Sequence, residues 1–293
     1  MTFGTVAILG PGLIGGSLAL ALAERKLADR LIVYGRSQTS LYGIQSACPM
    51  AELTSDPQVA VKDADIVVLC MPIEAMFAFV APIAHLFKPS ALVTDVGSVK
   101  GRVERDLAPL FVNNAHWIGS HPMAGSEKSG FAAARADLFS GAKIIITPTE
   151  KSSLLADKKS EEFWRALGGH VVRLDPETHD NYVAQISHIP HLIASALVNH
   201  AGQEALPLAG GGFRDTTRIA SGSPALWTEI LSANAGAIAR DLNRLIRDLC
   251  NLEIILKGVD GIPDKTSLLH YLQKAQDSRS HLYDTKPTSS KHP

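Results

Sequence analysis

Thr5-Val6-Ala7-Ile8-Leu9-Gly10-Pro11-Gly12-Leu13-Ile14-Gly15-Gly16-Ser17 is the stretch that decides the fold. A short apolar run leads directly into G-x-G-x-x-G, and a helical pattern from Leu13 to Ala23 follows it. Alone the glycine pattern is weak, but a strand before it and a helix after it are the context in which it binds a dinucleotide. Gly10 makes the tight turn, Gly12 lets the backbone approach a pyrophosphate, and Gly15 allows close helix packing. The helix start at Leu13 and Ile14 supplies amide donors for the phosphates. A glycine-rich strand-to-helix turn without a ligand is the competing reading.

Outward from this turn, short apolar runs alternate with helical patterns: Leu31–Tyr34, Ile66–Cys70, Leu92–Thr94, Trp117–Gly119, Lys143–Thr147 and Val171–Leu174. Rich in Val, Ile and Leu and nearly continuous, they read as parallel strands buried on both faces. After Asp175-Pro176, a helix start, the pattern turns helical: one long helix from Pro176 to Ala201 with Pro190 inside it, another from Pro224 to Lys257. The fold class expected is α/β, an N-terminal Rossmann-type doubly wound parallel sheet followed by an all-α domain. The domains expected are a nucleotide-binding part over 1–175, a helical substrate and dimerisation part over 176–277, and a disordered polar tail over 278–293.

The chain has 293 residues, 46% hydrophobic and 19% charged, with a net charge of -1. That balance fits a soluble protein of about two domains and gives no field for nucleic acid or an anionic membrane. Three scattered cysteines, Cys48, Cys70 and Cys250, suit a reducing compartment, so a cytoplasmic location is expected. Residues 1–23 carry no charged side chain, yet no Lys or Arg precedes Glu24 as a signal peptide requires, and glycines break the run.

Ligands of open parallel sheets bind beyond the carboxyl ends of the strands. There the sequence places Gly10, Arg36-Ser37, Met71-Pro72, Asp95-Val96-Gly97-Ser98 and Ser120-His121-Pro122. An acid that bonds the ribose hydroxyls of NAD usually ends the second strand; this chain has Gly35 followed by Arg36 and Ser37. Arg36 either pairs with a 2′-phosphate, which favours NADP over NAD, or is a solvated loop charge. His121 at this edge can accept a proton near neutral pH.

The helical half adds Ser187-His188-Ile189-Pro190-His191, with Ser187 and His191 on one helix face. No Glu follows His188 and no cysteine is near, so zinc is not expected; the two histidines are either functional or core polar groups. In Gly212-Phe213-Arg214-Asp215-Thr216-Thr217-Arg218, two arginines four apart can face one side, and an arginine fork suits a carboxylate.

Taken together, the chain resembles the prephenate/arogenate (cyclohexadienyl) dehydrogenases of tyrosine biosynthesis. The resemblance spans all but the polar tail. It is carried by Gly10–Ser17, Thr94–Lys100, Gly119–Glu127, Ser187–His191, Gly212–Ala220 and Pro224–Trp227, in that order. It implies oxidative decarboxylation of prephenate to 4-hydroxyphenylpyruvate with NAD or NADP. It implies His121 as the base that takes the ring hydroxyl proton, with Ser98 bonding the hydroxyl or orienting His121. Arg218 would hold the side-chain carboxylate, and His191 with Ser187 would line the substrate pocket. Glu127 and Asp215 would belong to a nearby ionic network, with Trp227 packed beside it. The helical half would form a homodimer. Histidine at 191 is the form associated with prephenate, whereas arogenate-selective members often have an apolar residue there. Two other readings compete: a 3-hydroxyacid dehydrogenase, which needs a catalytic lysine in its helical half, and an NAD(P)-sensing regulator, which needs no proton acceptor.

Overall fold

The computed structural model describes residues 2–111, 115–125, 128 and 130–284. Six strands form a parallel sheet: β1 (Thr5–Leu9), β2 (Arg30–Tyr34), β3 (Ala51–Thr54), β4 (Ile66–Leu69), β5 (Leu92–Asp95) and β6 (His116–Trp117), in the order β3-β2-β1-β4-β5-β6. The order reverses between β1 and β4, and that switch point opens a crevice at the strands' carboxyl ends. Around the sheet run α1 (Leu13–Glu24), α2 (Gln38–Ala47), α3 (Pro57–Val61), α4 (Ile73–Val80), α5 (Gly101–Leu107) and α6 (Leu154–Ala166). Alternate residues of each strand feed two apolar cores, one per face: Val6 and Ile8 pack with α1 and α6, Ala7 and Leu9 with α3 and α4. This doubly wound arrangement is the expected one.

β3 was not legible as a strand. Ala51-Glu52-Leu53-Thr54 has no β-branched apolar run; it is an edge strand, held to β2 in parallel register and by the Arg30–Glu52 pair at 2.7 Å. The run expected over Trp117–Gly119 splits. β6 ends the large sheet, and the chain continues into β7 (Gly119–Pro122), which pairs antiparallel with β8 (Lys143–Thr147). β9 (His170–Arg173) completes this second, three-stranded sheet. Gly119 permits the crossing, because a Cβ there would lie 2.6 Å from Thr147 Oγ1 and 3.3 Å from Lys100 Cδ.

Both long helices are interrupted. The first is α7 (Pro176–Val183), a π-helical turn over Ala184–His188, and α8 (Ile189–His200). Pro190 has no N–H and its ring crowds the carbonyl four residues back, so the wider turn just before it absorbs the clash. Then come α9 (Gly211–Thr217), a 3-10 turn over Arg218–Ser221 and α10 (Pro224–Ala233), which stops at Asn234 before α11 (Ala235–Lys257) begins. Asn234 is buried, and its side chain is engaged with the α7 region rather than with its own helix.

The chain forms two compact units, 1–238 and 239–293. The helices up to Ile238 therefore sit in one unit with the sheets. In the second unit, the rest of α11 and α12 (Lys265–Asp284) are joined by a turn in which Val259 bridges Ile262. Asp264 caps α12, accepting from the amides of Thr266 and Ser267 at 3.1 Å each. The helix reaches Asp284, which corrects the expectation of disorder from 278. Polar links one turn apart carry it through this hydrophilic stretch, among them Gln273 to Asp277 at 2.9 Å and Ser278 to the Lys274 carbonyl at 2.9 Å. Residues 285–293 of that tail lie outside the described residues.

Candidate active site

At the switch point lies a cavity of about 920 Å³, walled by Gly10, Pro11 and Gly12 after β1, Gly35 to Ser37 after β2, and Cys70 to Pro72 after β4. Gly10 has φ +117, and a Cβ there would lie 2.4 Å from the Cys70 carbonyl oxygen. A Cβ on Gly15 would lie 2.0 Å from the Gly10 oxygen, so helix and turn touch through glycine. A Cβ on Gly12 would meet nothing, and no side chain caps α1. An open glycine face beside an uncapped helix start fits a pyrophosphate. The side chains of Leu13 and Ile14 pack into the core behind.

The acid position at the end of β2 is closed. A Cβ on Gly35 would lie 2.6 Å from Ser40 Oγ and 2.9 Å from a Leu41 methyl. Ser37 and Ser40 form a capping box that starts α2 and fills this space. Arg36 is exposed and is the charged member of the described cavity lining. Sequence reading missed Tyr34, Thr39, Phe79 and Phe131 in this wall. Phe131 was not legible because it arrives from a distant loop, seated where any Cβ on Gly16 or Gly43 would strike its ring.

His121 lies on β7 and is 8% exposed. Its Nδ1 is 2.9 Å from His179 Nε2, and His179 Nδ1 is 2.8 Å from Asp180 Oδ1. A carboxylate only accepts, which settles both tautomers. His179 donates to Asp180 through Nδ1, its bare Nε2 accepts from His121 Nδ1, and His121 Nε2 keeps a free lone pair. Asp180 is fixed in turn by the backbone amides of Lys100 at 2.7 Å and Gly101 at 2.9 Å. Burial, helped by the charges of His179, Lys100 and His188, holds His121 well below the ordinary histidine value of 6.5. Burial lowers His179 as well, against the opposing pull of Asp180. Both rings are therefore neutral, and the free lone pair of His121 is poised to accept.

Beneath them Lys100, fully buried, pairs with buried Asp95 and donates to the Ser120 carbonyl at 2.7 Å. The Ser120 amide donates to the other Asp95 oxygen at 3.1 Å. Burial pulls the Lys100 ammonium below the ordinary lysine value, with Asp95 pulling back. Removing one partner would strand a buried charge at a cost of about 3–5 kcal/mol. Ser98 sits half-buried in the loop after β5.

The π turn carries Ser187, half-buried, and His188, 1% exposed. His191 stacks on Trp227, centroids 3.6 Å apart and planes within 12°. His188 Nδ1 lies 3.2 Å from Asn234 Nδ2, which also donates to the Asp180 carbonyl at 2.8 Å. Two buried ring nitrogens, His188 Nε2 and His191 Nδ1, have no partner among the described residues. Arg214, Asp215 and Arg218 are all exposed, on α9 and the 3-10 turn that follows it. Burial thus does not single out Arg218 over Arg214. Glu127 lies outside the described residues. Sequence reading missed His179, Asp180 and Asn234, and it quoted Asp95 and Lys100 as motif members without the buried pair they form. The available signal for the first two was an adjacent His-Asp pair at the fourth and fifth positions of a helix that follows a strand.

Known proteins resemble the chain over nearly its whole length. The family model for the prephenate dehydrogenase nucleotide-binding domain matches residues 18–173, and that for the prephenate dehydrogenase dimerization domain matches residues 175–274. A prephenate dehydrogenase of Bacillus subtilis (strain 168) is 34% identical over 285 residues, covering 95% of this chain and 76% of that one. A cyclohexadienyl dehydrogenase of Zymomonas mobilis is 32% identical over 295 residues, covering 97% and 99%. The crystal structure of prephenate dehydrogenase from Aquifex aeolicus in complex with hydroxyphenyl propionate and NAD+ superposes with a TM-score of 0.86 at 29% identity, covering 96% and 98%.

Proposed function

The chain belongs to the prephenate dehydrogenase family, and from that premise we propose that it converts prephenate to 4-hydroxyphenylpyruvate and CO2 with NAD(P)+. The observation that carries this is the relay Asp180–His179–His121, which leaves a neutral, buried imidazole with one bare nitrogen. Bound NAD(P)+ supplies the hydride acceptor. His121 Nε2 accepts the C4 hydroxyl proton as the C4–H bond gives up its hydride. The Asp180 carboxylate, acting through His179, offsets the positive charge that His121 then carries. After the C1–carboxylate bond breaks and its electron pair enters the ring, His121 returns the proton to the phenolate oxygen.

Around this centre, Ser98 bonds the hydroxyl, Arg218 holds the side-chain carboxylate, and His191 stacked on Trp227 walls the pocket together with Ser187. Asp215 belongs to an ionic network near this pocket. Residues 1–175 act as the nucleotide module and 176–277 as the substrate and dimerisation module. The cofactor is NADP in preference to NAD, because Arg36 lines the cavity and the room for an acid at Gly35 is taken. Apolar side chains left exposed on α11 and α12, such as Ile254, Leu256, Leu269 and Leu272, support a homodimer through these helices. The three free cysteines agree with a reducing cytoplasm, and no helix among the described residues is long and apolar enough to cross a membrane.

Incubation with prephenate and NAD(P)+ tests the reading. Absorbance at 340 nm should rise in step with CO2 release. Cofactor reduction without CO2, or activity confined to 3-hydroxyacids, would overturn it; arogenate assayed alongside measures the substrate preference.

A further inference from the structure

His121 has a counterpart that the proposed mechanism leaves unused. The Asn234 amide is oriented by the Asp180 carbonyl, which can only accept, so Asn234 Nδ2 is a donor and His188 Nδ1 is its acceptor. A neutral imidazole with a lone pair on Nδ1 carries its proton on Nε2. His188 Nε2–H is thus a donor, buried and without a partner among the described residues. Leaving such a group unmet costs about 1–3 kcal/mol, which a structure tolerates where a ligand completes the bond. The same Asp180 that sets the free lone pair on His121 through its carboxylate sets the free N–H on His188 through its carbonyl. The two rings are near enough that charge on His188 disfavours charge on His121. Trp227 links His188 to the proposed substrate pocket, meeting it edge-on at 6.2 Å while stacking on His191. The π turn that places His188 is itself a type of helix defect frequent at functional sites.

An acceptor and a donor, both buried and both fixed in tautomer, suit a ring with a hydroxyl at one end and a carboxylate at the other. Resting on the functional reading above, we propose that His188 Nε2–H binds and orients the ring carboxylate of prephenate, the group that leaves as CO2. A neutral donor fits this task better than a cation. The carboxylate loses its charge as the C1–carboxylate bond breaks, so a full ion pair would stabilise the ground state more than the transition state. Burial keeps His188 neutral down to about pH 4.

The test is a comparison of two ligands in His188→Asn and His188→Gln. Asparagine retains an acceptor for Asn234 but is too short to place a donor where Nε2 was; glutamine reaches further and restores one. The product 4-hydroxyphenylpyruvate keeps the hydroxyl and the side chain but lacks the ring carboxylate. His188→Asn should raise the KM for prephenate about 10- to 100-fold, the scale of one hydrogen bond to a charged group. Its inhibition constant for 4-hydroxyphenylpyruvate should move less than about threefold, and His188→Gln should recover most of the loss. Equal weakening of substrate and product, or an unchanged KM for prephenate, overturns the proposal. A wild-type enzyme that releases no CO2 from prephenate overturns the functional reading instead, and this inference with it.

Discussion

The nucleotide cavity and the histidine relay are built in opposite ways. The cavity is open, lined by glycines and half-exposed side chains, and what it offers a dinucleotide is backbone and one exposed arginine. The relay is closed: Asp95, Lys100, His121, His179 and Asp180 are each less than a tenth exposed, and each is tied to at least one other. A cofactor must enter and leave, so its site relies on many weak contacts to an unmoving backbone. A proton must move between fixed atoms, so its site uses few contacts with every tautomer determined. Substitutions in the two regions should therefore fail differently, in turnover for the relay and in KM for the surfaces that bind.

The largest effect belongs to the relay. His121→Asn should lower kcat about 10²- to 10⁴-fold with substrate binding nearly intact. A loss below tenfold at neutral pH would mean that His121 is not the base. Next comes the exposed clamp: Arg218→Gln should raise the KM for prephenate about 10- to 100-fold and change kcat only a few-fold, because the side-chain carboxylate stays charged throughout. Lysine should rescue little, since a point charge does not reproduce the guanidinium fork. Arg214→Gln is the control; a large effect there and none at Arg218 would reassign the clamp. In the cavity, Arg36→Ala should raise the KM for NADP+ about two- to fivefold more than that for NAD+, the worth of one exposed charge pair. Equal shifts would make Arg36 a loop charge.

The buried histidines carry a cost that a stability measurement can read. His121, His179, His188 and His191 are all held below the ordinary value of 6.5, so the folded protein keeps them neutral where the unfolded chain binds protons. Protons bound preferentially by the unfolded state make stability rise with pH. The contribution is complete above about 6.5 and is lost as pH falls towards the folded values. His188 alone, moved from 6.5 to about 4, accounts for ~3 kcal/mol. Urea midpoints should therefore drop between pH 7.5 and 5. A flat midpoint would mean that these rings are solvated in the folded protein.

Sequence alone revealed what repeats or follows a period: the glycine turn, the buried strands and the helical half. It also flagged His121, because strand ends in a parallel sheet converge on one edge. What it hid shares one physical cause, contact between distant segments. Lys100 looked like the end of a loop motif, yet its side chain reaches Ser120 and its amide reaches Asp180, 80 residues away. His179 and Asp180 lie inside the run expected to be helical, and only the contact of α7 with β7 reveals them. The split of Trp117–Gly119 turned on the missing Cβ of Gly119, which no hydrophobic pattern records. Asn234 broke a helix whose period ran on unbroken through it, because its amide is spent on Asp180 and His188.

The central claim is that a buried neutral His121, fixed by His179 and Asp180, takes the hydroxyl proton. The pH dependence of kcat/KM for prephenate, measured for wild type and His121→Asn, tests it most directly. For wild type the acid limb should fall well below the ordinary histidine value of 6.5, since burial disfavours the protonated ring. In His121→Asn that limb should vanish from the residual activity. An acid limb at or above 6.5 in wild type, or the same limb in both proteins, would contradict the account.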